Sequence, residues 1–499
     1  MTRGVIATPH RLASEAGAQV LRDGGNAVDA AIAADAVLCV VYPHMTSVGG
    51  DLMAIVWPAD AGAPVGIIGA GRSGELATIE AVHKRGHATM PERGVLSVTV
   101  PGTVEAWGRL LERFGTLGMA AVLEPATAVA GDGYVITDRL AVFLKEGADL
   151  LIKEPAAYEL YPPMEGGMLL RNPDLASVLR DLGRNGVGTF YRGEIAAAIA
   201  AAIKRRDGLI TAKDLATHRS QWVEPLSVRY RDLTVYELPP PTQGLAALGM
   251  LARLDRLSPD RLQPGLGFVT EFKRVRDECY TLRDRYITDP EVAVTPIDMF
   301  LDPGHAAVGH GDAREGGDTV YLCAADERGN YVSLIQSVAY GFGSGVVAEG
   351  TGMLLQNRGA YFRLDPGHVN RLEPKKRTMH TLIPAMAARD GRPAIVFGSM
   401  GGEGQPQLQT QVLINLVDRG LEPAEAVARP RIRVQAGGEV ISVEADDPDV
   451  RELNKSGLRI ELVPPKHHTQ GHAHAIVVDG PASWRAGADP RSDGSVEIV

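Results

Sequence analysis

The strongest constraint on the fold is a change of pattern at residues 316–317, where a polar stretch gives way to two adjacent strand-like segments. Residues 319–325 and 331–337 are rich in apolar, β-branched and aromatic side chains, and residues 327–330 between them are turn formers. The pattern predicts an antiparallel hairpin that begins the strand-rich part of the chain. We predict that this part ends with a closing strand at residues 473–478.

Helical patterns dominate the chain before the hairpin. Apolar residues recur at helical spacing over residues 11–41 on both sides of a Gly-Gly-Asn break, which predicts two consecutive helices, the second largely internal. Another helix is predicted over residues 103–114, after a strand-like run at residues 95–100, and helices continue to about residue 216.

The segments closest to the hairpin differ from one another. Residues 228–238 alternate like a strand and end at three prolines, and residues 245–286 are helical again. Residues 289–317 are rich in Pro, Gly, Asp and His, which is typical of an exposed segment that can be trimmed or reorganised. Helices therefore crowd the first part of the chain and strands the second.

Composition and charge exclude several classes of protein. A hydrophobic share of 45% and a charged share of 22% are ordinary for a globular chain and argue against disorder or collagen-like repeats. The formal charge of −10 argues against a nucleic-acid partner, because phosphate binding needs a basic face. The most apolar stretch, residues 30–41, is interrupted by Asp35 and is shorter than the ~20 residues of a membrane span, so no membrane segment is predicted.

We predict neither a metal nor a cofactor. The three cysteines, Cys39, Cys279 and Cys323, lie too far apart for a disulfide framework or a zinc knuckle. Residues 467–474 hold four histidines, a density that suits a transition metal, but without acidic or cysteine ligands nearby a loop leading into a strand is favoured. The first residues contain no apolar run of signal-peptide length, which predicts a cytoplasmic location.

Four stretches, which together span nearly the whole chain, resemble the gamma-glutamyltransferase family. The matching stretches are residues 23–31 with Gly49-Gly50, residues 101–104, residues 317–362, and residues 398–402 with 428–431 and 488–491. Each string alone is commonplace in turns, but their order and spacing together are specific.

The resemblance implies an α+β fold, a four-layer α/β/β/α sandwich of the N-terminal-nucleophile hydrolase type. It also implies a proenzyme that cleaves itself before a Thr on the first strand of the hairpin. Counting back from the Gly329-Asn330 turn puts that residue at Thr319 and the cleaved bond between Asp318 and Thr319. We therefore expect a mostly helical large chain (residues 1–318) and a strand-rich small chain (residues 319–499). The two chains would associate into one composite catalytic domain. Whether two copies of this unit form a dimer is left open.

The chemistry of a processed N-terminus explains why a Thr suits this position. A free α-amino group has an ordinary pKa of about 7.7 to 8.0, so near neutral pH part of it is unprotonated and can take the hydroxyl proton of the same residue. Before cleavage the nitrogen of Thr319 is an amide and cannot act as a base. Without the resemblance, a Thr that opens a strand is ordinary strand filling.

The resemblance also assigns roles to other residues. Ser337, on the same face of its strand as Ser333 and Ile335, matches a hydroxyl residue that hydrogen-bonds the nucleophile. Gly401 and Gly402 match an oxyanion-binding pair, since backbone N–H groups without a Cβ obstruction suit that role.

Arg72 matches the arginine that grips the α-carboxylate of a gamma-glutamyl group. A guanidinium fork suits two-point contact with a carboxylate. The partner that all these residues imply is a small-molecule amide substrate.

The pocket for the acyl group departs from the family pattern. Tyr361 stands where an acidic residue reads the substrate's amino group, Arg358 stands at a Gln position, and Ala339 stands at an Asn position. His380 and Thr381 replace a pair of serines. These positions predict a substrate-binding site with altered specificity.

The charge balance of this pocket suggests what the altered specificity is. We expect Arg72 and Arg358 to face the acyl group without an acidic partner, which favours a carboxylate without an adjacent ammonium, because an unpaired buried cation is costly.

Three functions remain open at this point. The first is a gamma-glutamyl hydrolase or transferase with a rearranged amino-group site. The second is an amidase of the same family that acts on an oxamate-like or other dicarboxylic monoamide, or on a glutaryl amide. The third is an unprocessed, inactive homologue that serves as a binding or scaffold protein.

Overall fold

A computed structural model describes residues 3–305, 307–309 and 317–499. The predicted exposed segment at residues 289–317 therefore falls partly outside the described residues, as does the predicted turn residue Gly316. Its described part is not uniformly exposed, because the side chains of Asp289 and Phe300 are fully buried.

Helices occupy most of the first half of the chain. Their bounds are α1 (Arg11–Arg22), α2 (Ala27–Val41), α3 (Ile79–Lys84), α4 (Thr103–Phe114), α5 (Met119–Asp132), α6 (Asp138–Glu146), α7 (Ala148–Leu151), α8 (Pro155–Leu160), α9 (Pro173–Asn185), α10 (Gly188–Arg192), α11 (Glu194–Arg205), α12 (Ala212–Ala216), α13 (Gly244–Leu254), α14 (Leu266–Tyr286), α15 (Ile297–Leu301), α16 (Gln405–Val417), α17 (Pro423–Ala428) and α18 (Val450–Leu453). The predicted helices at 11–41 and 103–114 are confirmed.

Strands are distributed over both parts of the chain. Their bounds are β1 (Gly4–Thr8), β2 (Asp51–Trp57), β3 (Val65–Gly69), β4 (Tyr134–Val135), β5 (Leu169–Leu170), β6 (Gln221–Val223), β7 (Leu226–Tyr230), β8 (Leu233–Glu237), β9 (Asp318–Asp326), β10 (Tyr331–Ala339), β11 (Val347–Ala348), β12 (Met353–Leu354), β13 (Ala385–Arg389), β14 (Arg392–Ser399), β15 (Ile432–Val434), β16 (Val440–Glu444), β17 (Arg459–Val463), β18 (Ala473–Gly480), β19 (Ser483–Ala488) and β20 (Ser495–Ile498).

Two large antiparallel sheets form the centre of the molecule. One has the strand order β20-β1-β9-β10-β2-β3-β6, and the other has the order β19-β18-β14-β13-β8-β7. A hydrophobic layer lies between them. The first sheet contributes Met53, Tyr321 and Ile335 to this layer, and the second contributes Val396 and Ile476.

Helices cover the outer face of each sheet. The alternate residues of β9, such as Val320 and Leu322, pack against a helical layer that includes α1, α2, α4 and α5. The outer face of the second sheet packs in the same way against α13, α14 and α16 through residues such as Phe397. The molecule is therefore the predicted α/β/β/α sandwich.

Helix α2 shows why the sequence folds in this way. The side chain of Asn26 accepts from the N–H groups of Val28 and Asp29, and Asp29 accepts from the N–H of Asn26, so a capping box starts the helix. All of its residues are buried, because it lies between other helices and the first sheet. The prediction of a largely internal second helix is confirmed.

One sequence prediction about strands is wrong, and two others are confirmed only in part. Residues 95–100 form a 3₁₀ turn, Val95–Ser97, followed by irregular backbone, because Val100 N–H bonds to the Arg72 carbonyl without a strand partner. The strand character of residues 228–238 is confirmed, but a turn divides them between β7 and β8, since Arg231 adopts a positive φ of 56°. Residues 473–478 do form a strand, within β18, but it is not the closing strand, because β19 and β20 follow and β20 pairs with β1.

Within the described residues, no helix has both the length and the apolar character needed to cross a membrane.

Candidate active site

Thr319 is the second residue of β9 and lies at the end of the first sheet. Since Tyr321 faces the layer between the two sheets, Thr319 faces the same layer two residues earlier. Its side chain is 1% exposed, and its Oγ1 has no hydrogen-bond partner among the described residues. A buried hydroxyl without a partner is uncommon and is a candidate for chemistry.

Ser337 lies beside the bond predicted to be cut. Its Oγ donates a hydrogen bond to the carbonyl oxygen of Asp318 at 2.6 Å, and the N–H of Ala339 donates to the same Oγ at 2.7 Å. A bulge makes this contact possible, because the β9–β10 register shifts between Gln336 and Ala339. Ala339 adopts a φ of 81°, an unusual conformation for a residue other than Gly.

Gly401 and Gly402 form a tight turn after β14, with φ values of 138° and 55°. The turn lies close to the bond to be cut, because a Cβ added to Gly317 would lie 2.6 Å from the Cα of Gly402. No described residue accepts a hydrogen bond from either glycine N–H. The side-chain amide of Gln243 donates to the carbonyls of Gly402 at 2.9 Å and Thr381 at 3.0 Å, which ties this turn to the acyl-pocket residues.

Arg358 is the centre of a buried polar cluster. Its guanidinium donates to the Oγ1 of Thr381 at 2.9 Å and to the Oγ of Ser337 at 3.4 Å. It also lies 5.1 Å from the ring centroid of Tyr361, which stacks nearly parallel on Tyr340. The structure therefore brings Ser337, Arg358, Tyr361 and Thr381 together.

Asp51 belongs to the same cluster and was missed by the sequence analysis. It is fully buried and opposes Ser337 across the β2–β10 pair. Its Oδ2 lies 3.2 Å from the Nε2 of His380 and 4.0 Å from the Nε of Arg358. The available signal was a carboxylate at the start of an otherwise apolar strand, because a buried acid requires polar partners.

Burial controls protonation in this cluster. It raises the pKa of Asp51 to about 7, although the positive charge of Arg358 lowers it in part. Burial holds the pKa of His380 well below its ordinary value, and the charges of Arg358 and Arg377 act in the same direction. The His380 ring is therefore neutral near pH 7.

Arg72 does not contact this cluster through its side chain. Its guanidinium forms ion pairs with Asp289 at 3.0 Å and Glu291 at 2.6 Å, beside a separate cavity of about 400 Å³ that also contains His218. The expectation that Arg72 and Arg358 lack acidic partners is wrong, since Asp289, Glu291 and Asp51 lie beside them. An unpaired charge is costly to bury, so these arginines pair with carboxylates that the fold brings from distant parts of the chain.

The raised pKa of Asp51 predicts a specific pH dependence of stability. The folded state binds the Asp51 proton more tightly than the unfolded chain does. The resulting contribution to the free energy of unfolding is therefore complete below the ordinary pKa of 3.8 and is lost as the pH rises through about 7. Asp51→Asn should therefore reduce the fall in denaturation midpoint between pH 5 and pH 8. Urea unfolding at several pH values measures this.

The surface residue Asp60 supplies the control for that measurement. Asp60→Asn should follow the wild-type pH curve. If the wild type and Asp51→Asn lose stability in parallel between pH 5 and pH 8, the Asp51 carboxyl is already ionised at pH 5.

The histidines of residues 467–474 are separated by the fold. The rings of His467 and His468 lie tilted to each other at 4.3 Å, whereas His472 and His474 are buried at the start of β18, with their rings 5.7 Å apart. Within the described part of the chain, no group of three or more His, Cys, Asp or Glu side chains is arranged to hold a metal ion.

Comparisons with known proteins agree with this architecture. A family model described as Gamma-glutamyltranspeptidase matches residues 13–499. The chain is 37% identical to the glutathione hydrolase-like YwrD proenzyme of Bacillus subtilis (strain 168), over 99% of this chain and 98% of that protein. It is 35% identical to the oxamate amidohydrolase proenzyme of Klebsiella pneumoniae, again over 99% and 98% of the two chains.

The solved structures include a match of similar extent. The cephalosporin acylase from Bacillus halodurans superimposes with a TM-score of 0.93 and is 36% identical, covering 99% of this chain and 96% of that one. Sequence and fold thus point to the same group of proteins.

Proposed function

This chain belongs to the gamma-glutamyltranspeptidase family, and we propose that it cuts its own backbone before Thr319 and then uses that residue as its nucleophile. It is an amidohydrolase of the N-terminal-nucleophile type, similar to glutathione hydrolases. Two parts of this function are our inference: that cleavage exposes Thr319 as the nucleophile, and which acyl group the enzyme transfers.

The observation that carries the proposal is the pair of hydroxyl groups around the Asp318–Thr319 bond. The hydroxyl of Thr319 is buried without a partner, and the hydroxyl of Ser337 donates to the carbonyl oxygen of the same bond. A hydrogen bond at that oxygen stabilises the negative charge that develops when a nucleophile adds to the carbonyl carbon.

Self-cleavage then proceeds in two steps. The Oγ1 of Thr319 adds to the Asp318 carbonyl carbon and gives up its proton. That proton passes to the Thr319 nitrogen as the C–N bond breaks, which leaves an ester and a free amino group on Thr319. Water hydrolyses the ester, so Asp318 becomes a C-terminal carboxylate and the Thr319 hydroxyl is restored. Sequencing the small chain of the purified protein tests this proposal, because it must begin with Thr319.

The processed enzyme repeats the same chemistry on an amide substrate. The amino group of Thr319 takes the hydroxyl proton, Oγ1 attacks the substrate carbonyl, and the proton passes to the leaving amine. The N–H groups of Gly401 and Gly402 would bind the oxyanion. Water, or a second amine, then releases the acyl group.

For the acyl group we propose a carboxylate-bearing group other than gamma-glutamyl. Support comes from Tyr361, which is buried where an acid would bind an ammonium, and from relatives named as an oxamate amidohydrolase and a cephalosporin acylase. Burial also raises the pKa of the Tyr361 phenol, so this side chain stays neutral and supplies no negative charge. A gamma-glutamyl acyl group remains the second candidate, favoured by the similarity to glutathione hydrolases.

We expect L-gamma-glutamyl 4-nitroanilide to be a poorer substrate than glutaryl 4-nitroanilide. Losing one charge-assisted contact to an ammonium weakens transition-state binding by about 1.5 to 3 kcal/mol, roughly ten- to a hundredfold in kcat/KM. Tyr361→Asp should raise the ratio of gamma-glutamyl to glutaryl activity. Initial rates with the two anilides measure that ratio.

Tyr361→Phe is the matched control, because it keeps the ring beside Arg358 and Tyr340 without adding a charge. Its ratio should stay at the wild-type value. A wild type that prefers the gamma-glutamyl donor by about a hundredfold would show that other acids hold the ammonium. Asp51, the buried acid of the same cluster, would then be the residue to change.

A further inference from the structure

Two consecutive glycines form the predicted oxyanion turn, and they have no side chains that could fix its shape by packing. Gly401 and Gly402 both adopt positive φ values, which only glycine takes readily. The Gly401 carbonyl accepts from the N–H of Gly404 at 2.9 Å, so the Gly402 N–H of the same planar peptide points the opposite way. The direction of that donor therefore depends on the groups that hold the turn.

The side-chain amide of Gln243 holds the turn from one side. Gln243 is fully buried, and its Nε2 donates to the carbonyls of Gly402 at 2.9 Å and Thr381 at 3.0 Å. The main chain fixes this residue as well, since its N–H donates to the His380 carbonyl at 2.9 Å. One amide group thus joins the oxyanion turn to the segment that carries two of the acyl-pocket residues.

Arg283 determines how this amide is oriented. Its Nη1 donates to the Oε1 of Gln243 at 2.9 Å, which leaves the Nε2 of that amide to face the two carbonyls. Its Nη2 donates at 2.6 Å to the Oε2 of Glu403, the residue that follows the glycine pair. The guanidinium therefore restrains the turn along two routes, one through Glu403 and the other through Gln243.

A second side chain of the same helix also holds the turn. Tyr280 and Arg283 lie three residues apart on α14, and the guanidinium lies 4.2 Å from the ring centroid of Tyr280. The Tyr280 hydroxyl donates to the carbonyl of Glu403. Arg283, Tyr280 and Glu403 are all buried. Glu403 and Asp284, the latter at 2.7 Å, neutralise the charge of Arg283, so this network is complete without a ligand.

We propose that Gln243 and Arg283 are positioning residues, which hold the Gly402 N–H in the direction of the oxyanion and thereby set kcat. The inference rests on the proposed function, because that function assigns the oxyanion to the glycine turn. Misplacing a catalytic group by about 1 Å costs roughly a hundredfold in rate. Loss of the amide that holds the turn should therefore act on the chemical step, although neither side chain contacts the substrate.

The test compares Gln243→Met with the wild type, using glutaryl and L-gamma-glutamyl 4-nitroanilide as substrates. Met has a similar size to Gln and lacks both of its polar ends, so the turn loses this restraint. We expect kcat to fall by about ten- to a hundredfold, by the same factor with either anilide, while KM changes less. Self-cleavage should continue, because the carbonyl of the bond to be cut is held by Ser337.

Gln411→Met is the matched control. Gln411 is also buried, and its Nε2 donates to two main-chain carbonyls, those of Gln407 at 3.1 Å and Ile432 at 2.8 Å. These contacts join α16 to β15 and do not involve the glycine turn. Urea unfolding should show a loss of stability in both variants, whereas kcat should stay at the wild-type value only in Gln411→Met.

Gln243→Glu is the second variant, which carries the test if Gln243→Met folds poorly. Its ionised carboxylate still accepts from Arg283 but offers no donor to the two carbonyls, so kcat should fall here too. A Gln243 variant that is processed and keeps the wild-type kcat overturns the inference. A loss confined to KM, or to one of the two anilides, also overturns it, because the amide would then serve the acyl pocket through Thr381.

A denaturing gel and N-terminal sequencing of the same samples separate this inference from the proposed function. A wild type that remains uncleaved and inactive would overturn the proposed function and the inference together. A wild type that is cleaved and active, beside Gln243 variants with unchanged kcat, would overturn the inference alone.

Discussion

Thr319→Ala is expected to remain a single uncleaved chain with no measurable amidohydrolase activity. The substitution removes the hydroxyl that must attack the Asp318 carbonyl, and no free N-terminal base is formed. The wild type should instead give a large chain that ends at residue 318 and a small chain of residues 319–499. A denaturing gel, N-terminal sequencing and a hydrolysis assay measure these outcomes. Loss of a nucleophile typically lowers kcat by about 10⁶-fold.

Thr319→Ser separates chemistry from folding in this experiment. The Ser variant keeps a hydroxyl and should process and turn over, at a reduced rate, because the buried site packs around the Thr methyl group. A wild-type chain that stays intact while it is folded and active would exclude the N-terminal-nucleophile mechanism. A wild-type chain that is folded, intact and inactive would instead favour the third function, that of an unprocessed binding or scaffold protein.

Gly402→Ala is expected to lower kcat by about 10²- to 10³-fold, the usual loss when one oxyanion donor is displaced. Gly402 has a φ of 55°, where an added Cβ strains the backbone, and its neighbour Gly401 has a φ of 138°. A Cβ at Gly401 would also lie 2.4 Å from the Cδ1 of Leu408, so Gly401→Ala should have a similar effect. KM should change less than kcat.

Gly420 provides a control with the same backbone conformation. Its φ is 63°, it is exposed, and a Cβ added there would meet no atom within 4 Å. Gly420→Ala should cost a similar amount of backbone strain without changing kcat. A Gly402→Ala enzyme that processes and turns over like the wild type would remove the glycine pair from the mechanism.

Local patterns in the sequence were sufficient to predict the strands and helices around the nucleophile. The predicted strands at residues 319–325 and 331–337 lie within β9 and β10, because β-branched and aromatic residues flank a Gly-Asn turn. The helices at residues 11–41 follow from apolar spacing and from the Asn26 cap. Local patterns failed at residues 95–100, where β-branched residues satisfy burial without a strand partner.

The composition of the site depended on contacts between residues far apart in the chain. Asp51 reaches His380 and Arg358 only because β2 pairs with β10, and Arg72 meets Asp289 only because their segments fold against each other. Which charges neutralise one another is set by distances of a few ångströms, and Coulomb energies change steeply over that range. Short sequence motifs carry the identity of the family and the order of its strands, whereas the partners of each buried charge follow from how the two sheets pack.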